Sequence, residues 1–220
     1  MKTTITALII AAGALLSGSA DATPMRWTET GSIDTKSQNF WDSSVTSGTP
    51  FTITIDFDST AIDQDIGTGR GFYDAVTSAS LSLGNYTFSL SSPVTANDVI
   101  IYDNYLFGPD LRDAYSYLMY DSASPQKGLH NIAMQGFLIS SNLQLLSSDA
   151  LAIQQFPVSA FDGQKNCSFQ ADDSSNAYVF ANGTVMNYTV TTVPEPSTAM
   201  FGVVGVFGLW VRRIRKSNRA

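Results

Sequence analysis

From Phe51 to Asp58 the chain alternates strictly, Phe-Thr-Ile-Thr-Ile-Asp-Phe-Asp. Successive side chains of an extended strand point to opposite faces, so Phe51, Ile53, Ile55 and Phe57 share one face while Thr52, Thr54, Asp56 and Asp58 share the other. One face must be buried and the other wetted, which is the condition of a strand in an antiparallel sheet packed on one side only. No stretch of the body sustains a helical apolar period over several turns.

The same pattern recurs. Leu81 to Leu83 and Tyr86 to Leu90 flank Gly84-Asn85, a two-residue loop whose glycine accepts the positive φ of a hairpin turn. Ala114 to Tyr120 and Ile132 to Ile139 read as further strands, and Tyr178 to Phe180 with Thr184 to Val190 read as a hairpin around Asn182-Gly183. Residues Ser147 to Ala160 suit a short helix or a loop. Seven or more short strands with Ser, Thr, Asn and Gly at the turns predict an all-β body, an antiparallel, jelly-roll-like β-sandwich. No internal repeat is visible, which argues against a solenoid or propeller.

Both ends differ from the body. Lys2, the apolar run Ile5 to Leu16 and the small residues ending in Ala20-Asp21-Ala22 have the three parts of a secretory signal peptide, expected over residues 1–22. The body then covers residues 23–192, enough for one domain with a real core. Residues 193–220 contain Val193-Pro194-Glu195-Pro196-Ser197, then the uncharged stretch Ala199 to Val211, then Arg212, Arg213, Arg215, Lys216 and Arg219. Two prolines around Glu195 forbid regular structure and hold the peptide extended for a reader of short linear motifs. The apolar stretch, with its neighbours, reaches about 17 residues, the lower edge of a membrane-spanning helix. Positive flanks stay in the cytoplasm, so the basic end fixes Glu195 and the body on the outer side.

This ordered triplet resembles the PEP-CTERM sorting signal carried by exosortase substrates. The resemblance implies that exosortase, a membrane transpeptidase-like enzyme, recognises Pro194-Glu195-Pro196 and removes the hydrophobic tail. The protein would pass through an inner-membrane intermediate to the cell surface or the extracellular polysaccharide matrix. The resemblance to the family also extends loosely into the body, through the segment Gly48 to Asp58, a Gly-rich hairpin, and a closing strand that runs into the motif. It implies a route; the task of the sorted body differs among such proteins.

Between Thr23 and Val193 seventeen acidic side chains face six basic ones, a net charge near −11. Such a surface repels phosphate backbones, so nucleic acid is not an expected partner. Cys167 is the single cysteine, so no intrachain disulfide staples the body, and beside Phe169 it reads as a small buried hydrophobe.

Candidates for chemistry are few. Asp56, Asp58, Asp63 and Asp65 supply hard oxygens of the kind calcium takes, but counted from Asp58 the sixth position is Asp63 rather than Gly and the twelfth is Gly69 rather than Glu. A solvated strand end accounts for the same four residues, and Asp172-Asp173 reads likewise. Glu29 is the one glutamate of the body, near its expected frayed start. His130 is the single histidine and no G-x-S-x-G elbow is present, so a serine triad has no support. With one His and one Cys, a zinc site of ordinary ligand count is excluded. Trp27, Phe40, Trp41, Tyr102, Tyr105, Tyr115, Tyr117 and Tyr120 crowd the middle and early body. Flat rings stack on sugar faces, although Tyr115 and Tyr117 equally suit a core strand.

These readings together point to an exported, non-catalytic surface or matrix protein whose body binds polysaccharide or neighbouring proteins, without a cofactor. The rival is a secreted hydrolase of matrix glycans or esters carried by the same tail. A pair of Asp side chains, one holding its proton, would mark the rival.

Overall fold

The computed structural model describes residues 24–37, 40–65, 67, 69–91, 96–121, 128–151, 154–175 and 177–193. The expected signal peptide, Pro194 to Ser197 and Arg212 to Lys216 lie outside them. Among the described residues there are ten strands: β1 Pro24–Lys36, β2 Pro50–Asp58, β3 Arg70–Asp74, β4 Val76–Leu83, β5 Tyr86–Ser91, β6 Ala96–Phe107, β7 Asp110–Asp121, β8 Leu129–Ser140, β9 Lys165–Asp173 and β10 Tyr178–Thr192. They form one antiparallel sheet in the order β3-β6-β7-β8-β9-β10-β1-β2-β4-β5. The body is therefore all-β and antiparallel as expected. Its connectivity corrects the jelly-roll expectation, because β6 to β10 pair with their sequence neighbours as a meander. Tight connections such as Gly108-Pro109 between β6 and β7 leave consecutive strands little choice but to pair. The described residues of the 147–160 segment are loop apart from one 3-10 turn, Val158–Ala160.

The sheet rolls onto itself into a sandwich-like form. Trp27 on β1 lies 5.8 and 5.7 Å, ring to ring, from Tyr115 and Tyr117 on β7, four strands away in the ladder. Phe88 on β5 lies 4.6 Å from Phe169 on β9. The chain changes layers between β3 and β4 at Ala75, whose carbonyl accepts from Asp58 N on the β2 side while its N–H donates to Asn97 O on the β6 side. A strand that bends to switch layers is how such corners are made.

Alternation decides what fills the interior. Phe51, Ile53, Ile55 and Phe57 are all buried, as are Leu81, Leu83, Phe88 and Leu90, the inward faces of the predicted strand and hairpin. Gly84 has φ +55 between β4 and β5, the first position of a type II′ turn. Asn182-Gly183 does not make a turn, for β10 runs unbroken from Tyr178 to Thr192. A Cβ at Gly183 would stand 2.6 Å from Ser32 O and 2.8 Å from the Phe51 ring, and one at Gly31 would stand 2.6 Å from that ring. These glycines leave a slot for Phe51, which requires missing side chains rather than a reversal of the chain.

Glu29 is also corrected. It sits in the core on β1 with none of its surface exposed, because it falls in phase with Trp27, Gly31 and Ile33. Tyr117 Oη lies 2.8 Å from Glu29 Oε2, while Glu29 Oε1 and Trp27 Nε1 have no hydrogen-bond partner of ordinary geometry. Burial pushes the Glu29 carboxyl up to about 7, against smaller pulls toward the charged form from Tyr117 and the nearby Trp27. Between about pH 4.5 and pH 7 the folded protein keeps a proton that the unfolded chain has released, so stability falls as pH rises through that window. Glu29→Gln keeps the shape and removes the titration. Denaturant unfolding at pH 4 and pH 8 should show the variant gaining about 3 kcal/mol on the wild type between the two values; a constant difference would rule this account out.

Candidate functional site

The two layers turn different outer faces to solvent. Cross-strand register sets Thr28 beside Thr54, Thr54 beside Ser80 and Ser80 beside Ser89, and in the next row Thr30 beside Thr52, Thr52 beside Ser82 and Ser82 beside Thr87. This face is hydroxyl-rich, with Arg26 and Asp56 paired at its edge by two hydrogen bonds of 2.7 and 2.9 Å. The outer face of β3, β6, β7 and β8 carries Phe72, Ile100, Tyr102, Leu118, Phe137 and Ile139, each half-buried. Ala114 and Ser116, though outward in phase, are covered by these larger neighbours.

A bulge concentrates aromatic rings at one end of that face. Tyr102 pairs with Ala114 and Tyr105 with Arg112, so β6 spends three residues where β7 spends two. Three residues along a regular strand would put Tyr102 and Tyr105 on opposite faces; the extra residue brings Tyr105 and Phe107 round to Tyr102. The ring centroids lie 5.1 Å apart for Tyr102 and Tyr105, 4.7 Å for Tyr102 and Phe107, and 5.6 Å for Tyr105 and Phe107. Asn104 takes φ +54 in the bulge, a conformation Asn tolerates better than most residues. Its N–H donates to Asp113 Oδ1 at 2.8 Å, and Asp113 Oδ2 accepts Leu146 N–H at 2.9 Å. A wholly buried carboxylate thus ties the bulge to the loop after β8.

Beside Phe107 opens a cleft of about 560 Å³ lined by Asp110, Arg112, Ser141, Asp162 and Gln164. Asp162 accepts Ser141 N–H at 2.7 Å and the Ser141 hydroxyl, which hold its carboxyl below the usual range. Arg112 donates to Asp110 at 3.0 Å. Arg70 is paired with Asp65 and stands 5.8 Å over the Tyr105 ring. Flat rings beside fixed donors and acceptors can stack on one surface of a sugar and bond its hydroxyls.

The four aspartates considered for calcium are engaged separately. Asp56 holds Arg26 and Asp58 accepts Thr60 N–H and hydroxyl. Asp63 accepts Asp65 N–H and Phe72 N–H, and Asp65 holds Arg70 and Gly67 N–H. Asp63 and Asp65 do line an open cleft of about 650 Å³ with Asp103 and Asp149, but among the described residues no group of three or more His, Cys, Asp or Glu could hold a metal ion. Asp172 accepts Asn131 Nδ2, and Asp173 caps the turn through Ser175 and Ala177. His130 lies at the start of β8 opposite Asp172. Cys167 is buried, as expected, and burial pushes its thiol well above the ordinary range.

Of the aromatic residues singled out in the sequence, Trp27, Trp41, Tyr115 and Tyr117 are core and Phe40 packs against it. Tyr120 is half-buried, 3.2 Å from Asn131 Oδ1. Tyr102 and Tyr105 remain available at the surface, joined by Phe72, Phe107 and Phe137, which sequence reasoning missed. Alternation in Arg70–Asp74 and Leu129–Ser140 was the signal for Phe72 and Phe137; the bulge that recruits Phe107 had none. The Asp113 tether carries a prediction. Asp113→Ala leaves two backbone N–H groups without acceptors and should cost about 2–4 kcal/mol in denaturant unfolding. Amide exchange at Asn104 and Leu146 should rise well before that of the remaining core, and unchanged exchange there would refute the tether.

Comparison with protein-family models, with curated proteins and with solved structures finds no match for this chain.

Proposed function

We propose that this chain is an exported surface or matrix protein, sorted by exosortase through Pro194-Glu195-Pro196, whose sandwich-like body binds polysaccharide without catalysis. The sorting half rests on the order of signal peptide, Pro-Glu-Pro motif, apolar stretch and the basic residues Arg212, Arg213, Arg215 and Lys216. Its bearing on the body is that β10 ends at Thr192, immediately before the motif, while Val193 N–H donates to Pro24 O at 2.8 Å. Removal of the tail would therefore cut beyond the last strand and leave the core untouched. Polysaccharide binding is supported by one observation above others, the Tyr102, Tyr105 and Phe107 rings beside the cleft on an outer face that also carries Phe72, Ile100, Phe137 and Ile139. The partners are exosortase, the membrane before processing, and an extracellular glycan afterwards.

Intact-mass analysis of the mature protein from its host tests the sorting. The wild type should end at or near Pro194-Glu195-Pro196, and Glu195→Ala should keep its tail through Ala220 and stay with the membrane. An intact tail in both would defeat the proposal.

The hydrolase reading has one observation in its favour. Asp98 on β6 stands opposite Asp74 on β3, and burial, then the charge of Asp74, push its carboxyl up to about 6. An acid that retains its proton beside a second carboxylate is the arrangement glycoside hydrolysis uses. If that reading holds, soluble glycans release reducing ends on incubation, and Asp98→Asn lowers the rate by at least about a hundredfold while retaining glycan binding. The non-catalytic reading expects no release by either protein.

A further inference from the structure

The shape and charge of the aromatic end narrow the ligand, an inference that rests on the polysaccharide-binding reading. We propose that the Tyr102, Tyr105 and Phe107 wedge with its adjoining cleft takes a single, uncharged glycan chain, rather than a polyanion, a polycation or a crystalline polysaccharide surface.

Shape comes first. The planes of Tyr102 and Tyr105 are inclined at 51°, those of Tyr102 and Phe107 at 66°, and those of Tyr105 and Phe107 at 76°. Rings that lay flat on a crystal would have to be nearly coplanar. Inclined rings, packed against one another with centroids 4.7 to 5.6 Å apart, instead make an uneven notch, and the cleft continues from Phe107, so a chain seated on the rings runs on toward Asp110, Arg112 and Gln164. Asp110 and Arg112 present an acceptor and a donor fork already oriented by their own bond, and the Gln164 amide adds both kinds of group. Vicinal hydroxyls of a neutral sugar, each donor and acceptor at once, match such a mixed lining.

Charge decides against the alternatives. The cations of this face that lie at the rings and cleft are Arg70 and Arg112, and each is already held by a carboxylate, Asp65 and Asp110 respectively. A sulfate, phosphate or uronate chain would have to displace those carboxylates and then lie near Asp103 and Asp162, within a body of net charge near −11. Polycations meet the opposite difficulty, since the ring notch places Arg70 over Tyr105, where an ammonium group would compete for the same π-face. What remains is stacking and hydrogen bonding, both insensitive to salt compared with ion pairing.

Affinity electrophoresis and sedimentation with the full-length protein test this. The gels contain dextran, hydroxyethylcellulose, soluble xylan, alginate or soluble chitosan, and microcrystalline cellulose serves for sedimentation. The expected result is retardation by at least one of the neutral soluble polymers, unchanged from about 0.05 to about 0.5 M NaCl. Tyr105→Ala should weaken it about tenfold, and Tyr105→Trp, which keeps a ring, should restore it. Retardation by alginate or chitosan alone, or sedimentation with crystalline cellulose alone, overturns the inference and leaves glycan binding standing. Retention by none of the six overturns both. Neutral-glycan binding that Tyr105→Ala leaves unchanged overturns the location.

Discussion

Seating the Trp27 indole against Tyr115, Tyr117 and Tyr188 requires the sheet to turn back on itself, since β1 and β7 are separated by three strands in the ladder. A flat sheet of this width would leave Phe51, Ile53, Ile55 and Phe57 in water on one side. Rolling buries them in one core with Trp27, Tyr115, Tyr117 and Phe169, and the body lacks a disulfide that might share the task. Small residues make the closure fit. Gly31 and Gly183 admit the Phe51 ring, and Ala75 carries the chain across the corner with hydrogen bonds to both layers.

Glu29 and Tyr117 occupy the middle of this seam. A carboxyl without a cation in the core is tolerable only as the neutral acid, hydrogen-bonded to Tyr117. Burial likewise holds the neighbouring Tyr117, Cys167 and Tyr188 in their neutral forms. The polar centre thus belongs to the structure's stability and lies on the inner side of β7, with the aromatic cleft on the outer side.

Strand phase was the part of the fold most plainly written in the sequence. Phe51 to Asp58, the Gly84-Asn85 turn and the core placement of Tyr115 and Tyr117 all follow from alternation and one glycine. Asn182-Gly183 misled because a Gly needed for close approach and a Gly needed for positive φ are the same letter. Glu29 misled because its place near the start of the body suggested a frayed end, whereas its phase with Trp27 and Ile33 marks it as core, and phase prevailed. Which strands would meet across the interior depended on the roll, a long-range property that local pattern does not contain.

The candidate site was legible only as an excess of tyrosine. Tyr102 and Tyr105, three apart, fall on opposite faces by simple alternation, and nothing in Asp103-Asn104 announces the extra residue that unites them. The bulge exists because Asp113, inward in phase and buried, needs donors, and Asn104 N–H and Leu146 N–H are the two it finds. Satisfying one buried carboxylate therefore twists the β6–β7 hairpin, and that twist turns three scattered rings into one notch. The surface feature is a consequence of a core requirement, which explains why a period-two reading, accurate for the strands around it, could not reach it.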